Sequence, residues 1–209
     1  MSVKYICFDF ETNGLESKDG AIEIAITLLD KSMASIASFC SMIALEGQAW
    51  NKFAADKHGY TPEEVAAAPS PSQVREAILA FFAENGVEEG DKPWFNALPM
   101  GHNVSFDIGF MKGLLGADTY SKFFHFHNLC TMNVAQAVNL LVEGQGGEKP
   151  FKSCSLDQLR AIMGITLEGA HKAAKDVEDT IALYKFLIDS SNTGLVYFDP
   201  KQEQDELPI

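Results

Sequence analysis

The 209-residue chain carries 29 acidic against 16 basic residues, a net charge of −13, with 46% hydrophobic and 22% charged side chains. That length suits one α/β domain, and no apolar run is long enough for a transmembrane helix, so no membrane partner is expected. So acidic a balance argues against a protein that coats nucleic acid through phosphate contacts. It leaves room for an enzyme that grips a chain end and offsets its own acids with bound cations.

Residues 3–11, rich in β-branched and aromatic side chains, read as the first strand. The runs at 21–30 (AIEIAITLLD) and 34–43 (ASIASFCSMI) read as the next two, and their short connections predict an antiparallel meander. Thr61 as N-cap, Pro62 and two acids start a helix, and Pro71 opens a longer one to about Asn85, closed by Gly86. A short strand over 96–102 leads into a helix over 104–115, and a strand near 124–130 leads into a helix over 131–142. EGQGGEKP is a loop, Ser155 is expected to cap a helix ending at Met163, and the last helix spans about 172–190. The meander followed by strand–helix alternation predicts an α/β fold with a mixed sheet. Cys7, Cys40, Cys130 and Cys154 are scattered without a C-x-x-C pair, and the N-terminus lacks the pattern of a signal peptide. A reduced, cytoplasmic protein without a zinc site is the expectation.

In YICFDFETNGLES, period-2 geometry sets Tyr5, Cys7, Asp9 and Glu11 on one face and Ile6, Phe8 and Phe10 on the other. Two acids side by side repel, and taken alone they read equally well as a strand end emerging into solvent. In MGHNVSFDIGFMKGLL, however, Asp107 lies in line with Phe110, Met111 and Leu114 on the apolar side of a helix. In HKAAKDVEDTIALYKFLI, Asp176 borders the stripe of Val177, Ile181, Tyr184 and Ile188, whereas Glu178, Asp179 and Lys185 are expected on a solvated face. Four carboxylates without an evident basic partner call for cations, and hard oxygen ligands suit Mg²⁺ or Mn²⁺. Two such ions about 3.5–4 Å apart can hold both the attacking and the leaving oxygen of a phosphodiester displacement. A histidine suits the task of general base at neutral pH, and His171 stands five residues before Asp176, although a lone loop histidine is more often a surface residue.

FDFETNGL, GHNVSFDIGFM and HKAAKD, in that order and spanning residues 8–176, resemble the DEDD exonuclease superfamily in its histidine subclass, the DnaQ-like enzymes. The tyrosine subclass would carry a tyrosine where Lys172 stands. The resemblance implies a ribonuclease-H-like fold: a mixed five-stranded sheet with helices on both faces, occupying residues 1–190, followed by a tail over 191–209. It makes Asp9, Glu11, Asp107 and Asp176 the ligands of two divalent metal ions, Mg²⁺ or Mn²⁺, with His171 as the base. Thr12 and Leu15 fall where the family meets the terminal nucleotide, and His102, Asn103 and Phe106 in the segment lining the scissile end. Asn13 departs from the threonine or serine common at its position. The implied activity is 3′→5′ release of nucleoside 5′-monophosphates from single-stranded DNA, in proofreading or repair. An exoribonuclease of the same family is the nearest alternative, and a non-catalytic nucleic-acid-binding module on the same fold the more distant one.

Within the tail, Gln204, Leu207 and Ile209 resemble the short peptide by which replication proteins dock on the bacterial sliding clamp, implying a clamp or DNA polymerase partner. The plainer reading is an acidic solvated tail, because six-residue patterns recur by chance.

Overall fold

The computed structural model describes residues 2–189. Both the expected tail and its clamp-like pattern lie outside the described residues.

Five strands form one mixed sheet in the order β3-β2-β1-β4-β5. β1 (Tyr5–Thr12), β2 (Ala21–Leu29) and β3 (Ser35–Met42) make the antiparallel meander, while β4 (Leu98–Gly101) and β5 (Leu129–Cys130) add parallel to β1 on its other side. Eight α-helices complete the described residues: α1 (Lys52–His58), α2 (Pro62–Ala66), α3 (Pro71–Glu84), α4 (Val104–Leu115), α5 (Ala117–Phe123), α6 (Thr131–Gly144), α7 (Leu156–Met163) and α8 (Ala173–Ile188). This is the ribonuclease-H-like α/β architecture. None of the described helices is long and apolar enough to cross a membrane.

The alternation of β1 sorts the core into two layers. Ile6, Phe8 and Phe10 pack with Ile24, Ile26 and Leu28 of β2 against Val74, Ile78 and Phe82 of α3 and Phe110 and Met111 of α4. Cys7 and Ala25 face the other way, onto Ala173 and Val177 of α8. Burial of each large apolar side chain contributes roughly 1.5–3 kcal/mol, so a one-residue slip of β1 would forfeit both layers. A third cluster joins α6, α7 and α8 through Ala135, Val138, Leu159, Leu183 and Leu187.

Several boundaries differ from the sequence reading. The strand expected near 124–130 shrinks to Leu129–Cys130, with one isolated bridge between Ala97 and Phe124. His125, Phe126 and His127 stack their rings, and the His127 N–H donates to His125 Nδ1, a local turn that breaks the ladder. The helix α1 was not anticipated, although both of its punctuators are present. Asn51 accepts from the Phe53 N–H, and Gly59 closes the helix in the left-handed conformation. Ser155 does occupy the N-cap position of α7, but its side chain caps nothing there and is bonded by Ser153 instead.

A candidate two-metal active site

β1 outruns β4. Their pairing ends at Cys7↔Met100, and β4 turns at Gly101 straight into α4. A Cβ at Gly101 would stand 3.1 Å from the Phe8 carbonyl oxygen and closer still to Val104, so the turn needs glycine. Beyond the turn, the Phe10 N–H has no strand partner on that side and donates to Asp107 Oδ1 at 3.0 Å. An acid on the apolar side of α4 is thus explained: it docks the helix on the open end of β1. Asp9 and Glu11 project from the opposite face to Phe8 and Phe10, toward the first turn of α8, where Asp176 stands.

The ligand atoms of Glu11, His171 and Asp176 lie within 4.8 Å of one another. Asp9 and Asp107 are outside that tight group but within its field. Burial raises the Asp9 pKa well above the usual carboxylate range, reinforced by Asp107, Asp176 and Glu11. Glu11 is pushed up to about 8, first by burial and then by Asp176 and Glu23. Asp107 is also pushed up to about 8 by burial, against the stabilising bond from Phe10. Four acids gathered where each suppresses the ionisation of the others form a site that a divalent cation would relieve. An all-carboxylate oxygen set with one imidazole fits Mg²⁺ or Mn²⁺.

Asp176 has a basic partner after all. Arg160 of α7 is wholly buried and donates to Asp176 Oδ1 (2.6 Å), Asp179 Oδ2 (2.7 Å) and Asp157 Oδ1 (2.9 Å). Burial raises the Asp176 pKa, and Arg160 pulls it back down. Asp179, expected on a solvated face, is therefore buried; the guanidinium compensates it. The one sequence signal for this network was the Asp157/Arg160 spacing of three on a helix. That spacing says nothing of α8.

His171 adopts a left-handed backbone conformation (φ 62°), and its N–H donates to Asp176 Oδ1 at 3.2 Å. This conformation costs a non-glycine residue about 1–2 kcal/mol. Here it turns the imidazole to the acidic cluster, with Nε2 at 3.8 Å from Asp157 Oδ2.

A cleft of about 440 Å³ opens beside the cluster, lined by Glu11, Thr12, Leu15, Phe53, Lys57, Phe106 and His171 among others. Thr12 donates its hydroxyl to the Gly14 carbonyl at 2.7 Å. Leu15 (85% exposed) and Phe53 (87%) are the two most exposed large apolar side chains among the described residues, and both face this cleft. Phe106 leans on Phe110, ring to ring at 5.0 Å. Asn103 is exposed at the start of α4, also left-handed (φ 58°). His102 does not line the cleft as expected. It turns inward, its Nδ1 2.9 Å from Thr131 Oγ1, and burial pushes its pKa down to about 4, so it stays neutral.

Phe53 and Lys57 escaped the sequence reading because α1 did. Asn13 accounts for their placement. It is 3% exposed, and its amide nitrogen donates to the Asp19 and Ala49 carbonyls while its oxygen accepts the Asn51 N–H. A threonine or serine could not make all three bonds. The residue that strays from the family pattern is the tether that sets the start of α1 against the cleft.

Comparison with known proteins shows the family and the fold. A family model described as Exonuclease (RNase_T) matches residues 6–184. The chain is 31% identical over 186 residues to the PolC-type DNA polymerase III of Latilactobacillus sakei, covering 88% of this chain but only 11% of that protein. Among solved structures, E. coli Exonuclease I in complex with a dT13 oligonucleotide superposes with a TM-score of 0.70 at 20% identity, over 88% of this chain and 40% of that one. A 3′-exonuclease recognising a histone mRNA stem-loop superposes with a TM-score of 0.61 at 12% identity, over 90% of this chain and 65% of that one. The chain thus spans about a tenth of the length of the first of these proteins and two fifths of the second.

Proposed function

The chain belongs to this exonuclease family, within the DEDD exonuclease superfamily, and from that premise we propose that it removes nucleoside 5′-monophosphates from the 3′ end of single-stranded DNA. The observation that carries the reading is the meeting of Glu11, Asp176 and His171 within 4.8 Å, in the field of Asp9 and Asp107, beside a cleft with an apolar rim. Asp9, Glu11, Asp107 and Asp176 would hold two divalent ions, Mg²⁺ or Mn²⁺. When bound, the ions supply Lewis-acid stabilisation of the charge that develops on the phosphodiester oxygens.

The chain's own residues do the rest. His171 accepts the proton of the attacking water at an imidazole nitrogen, and its backbone tie to Asp176 keeps it beside the cluster. Thr12 and its carbonyl partner form the floor under the terminal sugar. Leu15 and Phe53 offer apolar faces to the last bases, and stacking of that kind is indifferent to sequence. Lys57, one helical turn beyond Phe53, supplies a cation for a backbone phosphate in an otherwise acidic protein. Without the four ligands 25 acids still face 16 bases, so the grip should extend over only a few nucleotides, with weak processivity.

The test is incubation with Mg²⁺ or Mn²⁺ and matched 3′-labelled DNA and RNA single strands, beside an Asp107→Ala variant. Mononucleotide release from the DNA, abolished in the variant, is expected. Release that persists in Asp107→Ala would refute the site, and preferential release from RNA would reassign the substrate to the alternative class.

A further inference from the structure

Glu23 stands on β2 directly across from Glu11, yet it faces no substrate and has no place in the chemistry above. It is 6% exposed. A buried carboxylate needs compensation, and three donors converge on it. The Ala173 N–H donates to Oε2 at 2.9 Å, Cys40 Sγ lies 3.6 Å from Oε1, and the Tyr60 hydroxyl is its third partner.

The first of these bonds matters most. Ala173 is the first residue of α8, and the N-cap residue Lys172 provides no side-chain cap. The first N–H groups of a helix have no partner within it, and here Glu23 reaches across from the sheet, 150 residues away in sequence, to supply one. The neighbouring residues are clamped as well. Lys172 Nζ donates to the His58 carbonyl at 2.9 Å and sits 3.3 Å from the centre of the Tyr60 ring, and the His171 N–H is held by Asp176. His171 lies two residues before the capped amide and Asp176 three after it. Glu23 and Glu11 share one β-ladder, so the cap references the start of α8 to the same strand pair that carries Asp9 and Glu11.

We propose that Glu23 is a positioning residue: by capping α8 from within the sheet, it sets the distance between the β1 carboxylates and the His171/Asp176 pair. The inference rests on the catalytic reading above. It requires an acceptor oxygen at that place, and a full negative charge is secondary. Glutamine, which keeps the oxygen, should therefore substitute, while alanine and the shorter aspartate should not.

The experiment compares Glu23→Gln, Glu23→Asp and Glu23→Ala with the wild type in steady-state release of mononucleotide from a single-stranded oligonucleotide, together with calorimetric titration of Mn²⁺ and thermal melting. Glu23→Gln should stay within about threefold of wild-type kcat. Glu23→Asp and Glu23→Ala should lose at least about tenfold in kcat, with KM within about twofold because Leu15, Phe53 and Lys57, the cleft residues that meet the bases and the phosphate, are untouched, and should bind Mn²⁺ more weakly because Asp176 is displaced. Wild-type kcat and Mn²⁺ affinity in a folded Glu23→Ala protein would overturn the inference. If Glu23→Ala does not fold, Glu23→Asp decides alone, since it keeps the charge and withdraws only the oxygen; full activity there overturns it equally. A Glu23→Gln variant as impaired as Glu23→Ala would also overturn it. A wild-type protein that releases no nucleotide at all would instead overturn the catalytic reading, and this inference with it.

Discussion

Without metal the acidic cluster should make the protein less stable as pH rises, and divalent cations should restore it. Glu11 moves from an ordinary 4.5 and Asp107 from 3.8, each to about 8. The folded state thus binds these protons more tightly than the unfolded chain, which releases them near pH 4. Stability is full below the unfolded values and falls as pH climbs through the window from about 4 to about 8. At about 1.4 kcal/mol per pKa unit, Glu11 alone corresponds to about 5 kcal/mol and Asp107 alone to about 6 kcal/mol. Asp107 raises Glu11 through its charge and Glu11 borders the cleft, where solvent screens it, so their effects do not add, and about 5 kcal/mol for the pair is a working figure. For a domain of this size, that is a fall in Tm of about 10–20 °C between pH 5 and pH 8 in EDTA. The assay is thermal melting across that pH series, with and without excess Mg²⁺ or Mn²⁺. The cation should recover most of the loss at pH 8, and a Glu11→Gln/Asp107→Asn double variant should flatten the pH series and lose the recovery. A metal-free Tm that is level from pH 5 to 8, or a cation effect that survives in the double variant, would refute the electrostatic account.

Arg160→Met should lower Tm by about 6–20 °C, because removing one partner of a buried charge network costs about 3–5 kcal/mol; adding Asp179→Leu should return part of that loss in the same melt. Phe53→Ala should raise KM for a single-stranded oligonucleotide by about fivefold to a hundredfold, the equivalent of one base–aromatic stack, with kcat little changed. Asn13→Ala should destabilise by about 1–3 kcal/mol in a urea titration, since the buried Asn13 amide is lost and the Asp19 and Ala49 carbonyls and the Asn51 N–H lose their partner, and should raise KM through the displaced α1.

The acids of the proposed site stood out by local pattern. A carboxylate such as Asp107 on an apolar helix face is an anomaly that period-3.6 reading exposes, and Asp9 and Glu11 fall on one face by period-2 counting. Thr61 as N-cap and Pro71 as opening residue marked the starts of α2 and α3 correctly; the cap of α3, Ser70, which accepts the Gln73 N–H, is supplied by the structure. The missed pieces share a cause. α1 and α5 are seven residues each, too short for a periodic stripe to rise above composition. Arg160, Glu23 and Asn13 act on partners in other elements, and their neighbours in sequence carry no trace of those partners.

The order of the acids, the histidine before the last of them and the alternation of β1 thus belong to the sequence alone. They follow from the backbone's fixed periods, which any stretch of chain obeys without reference to the rest. Only the tertiary structure decided that Arg160 would neutralise part of the acidic cluster, that His102 would turn from the cleft, and that Asn13 would hold α1 against it. Those outcomes depend on which buried polar group finds its partner across tens of residues, and desolvation settles that only when the layers close.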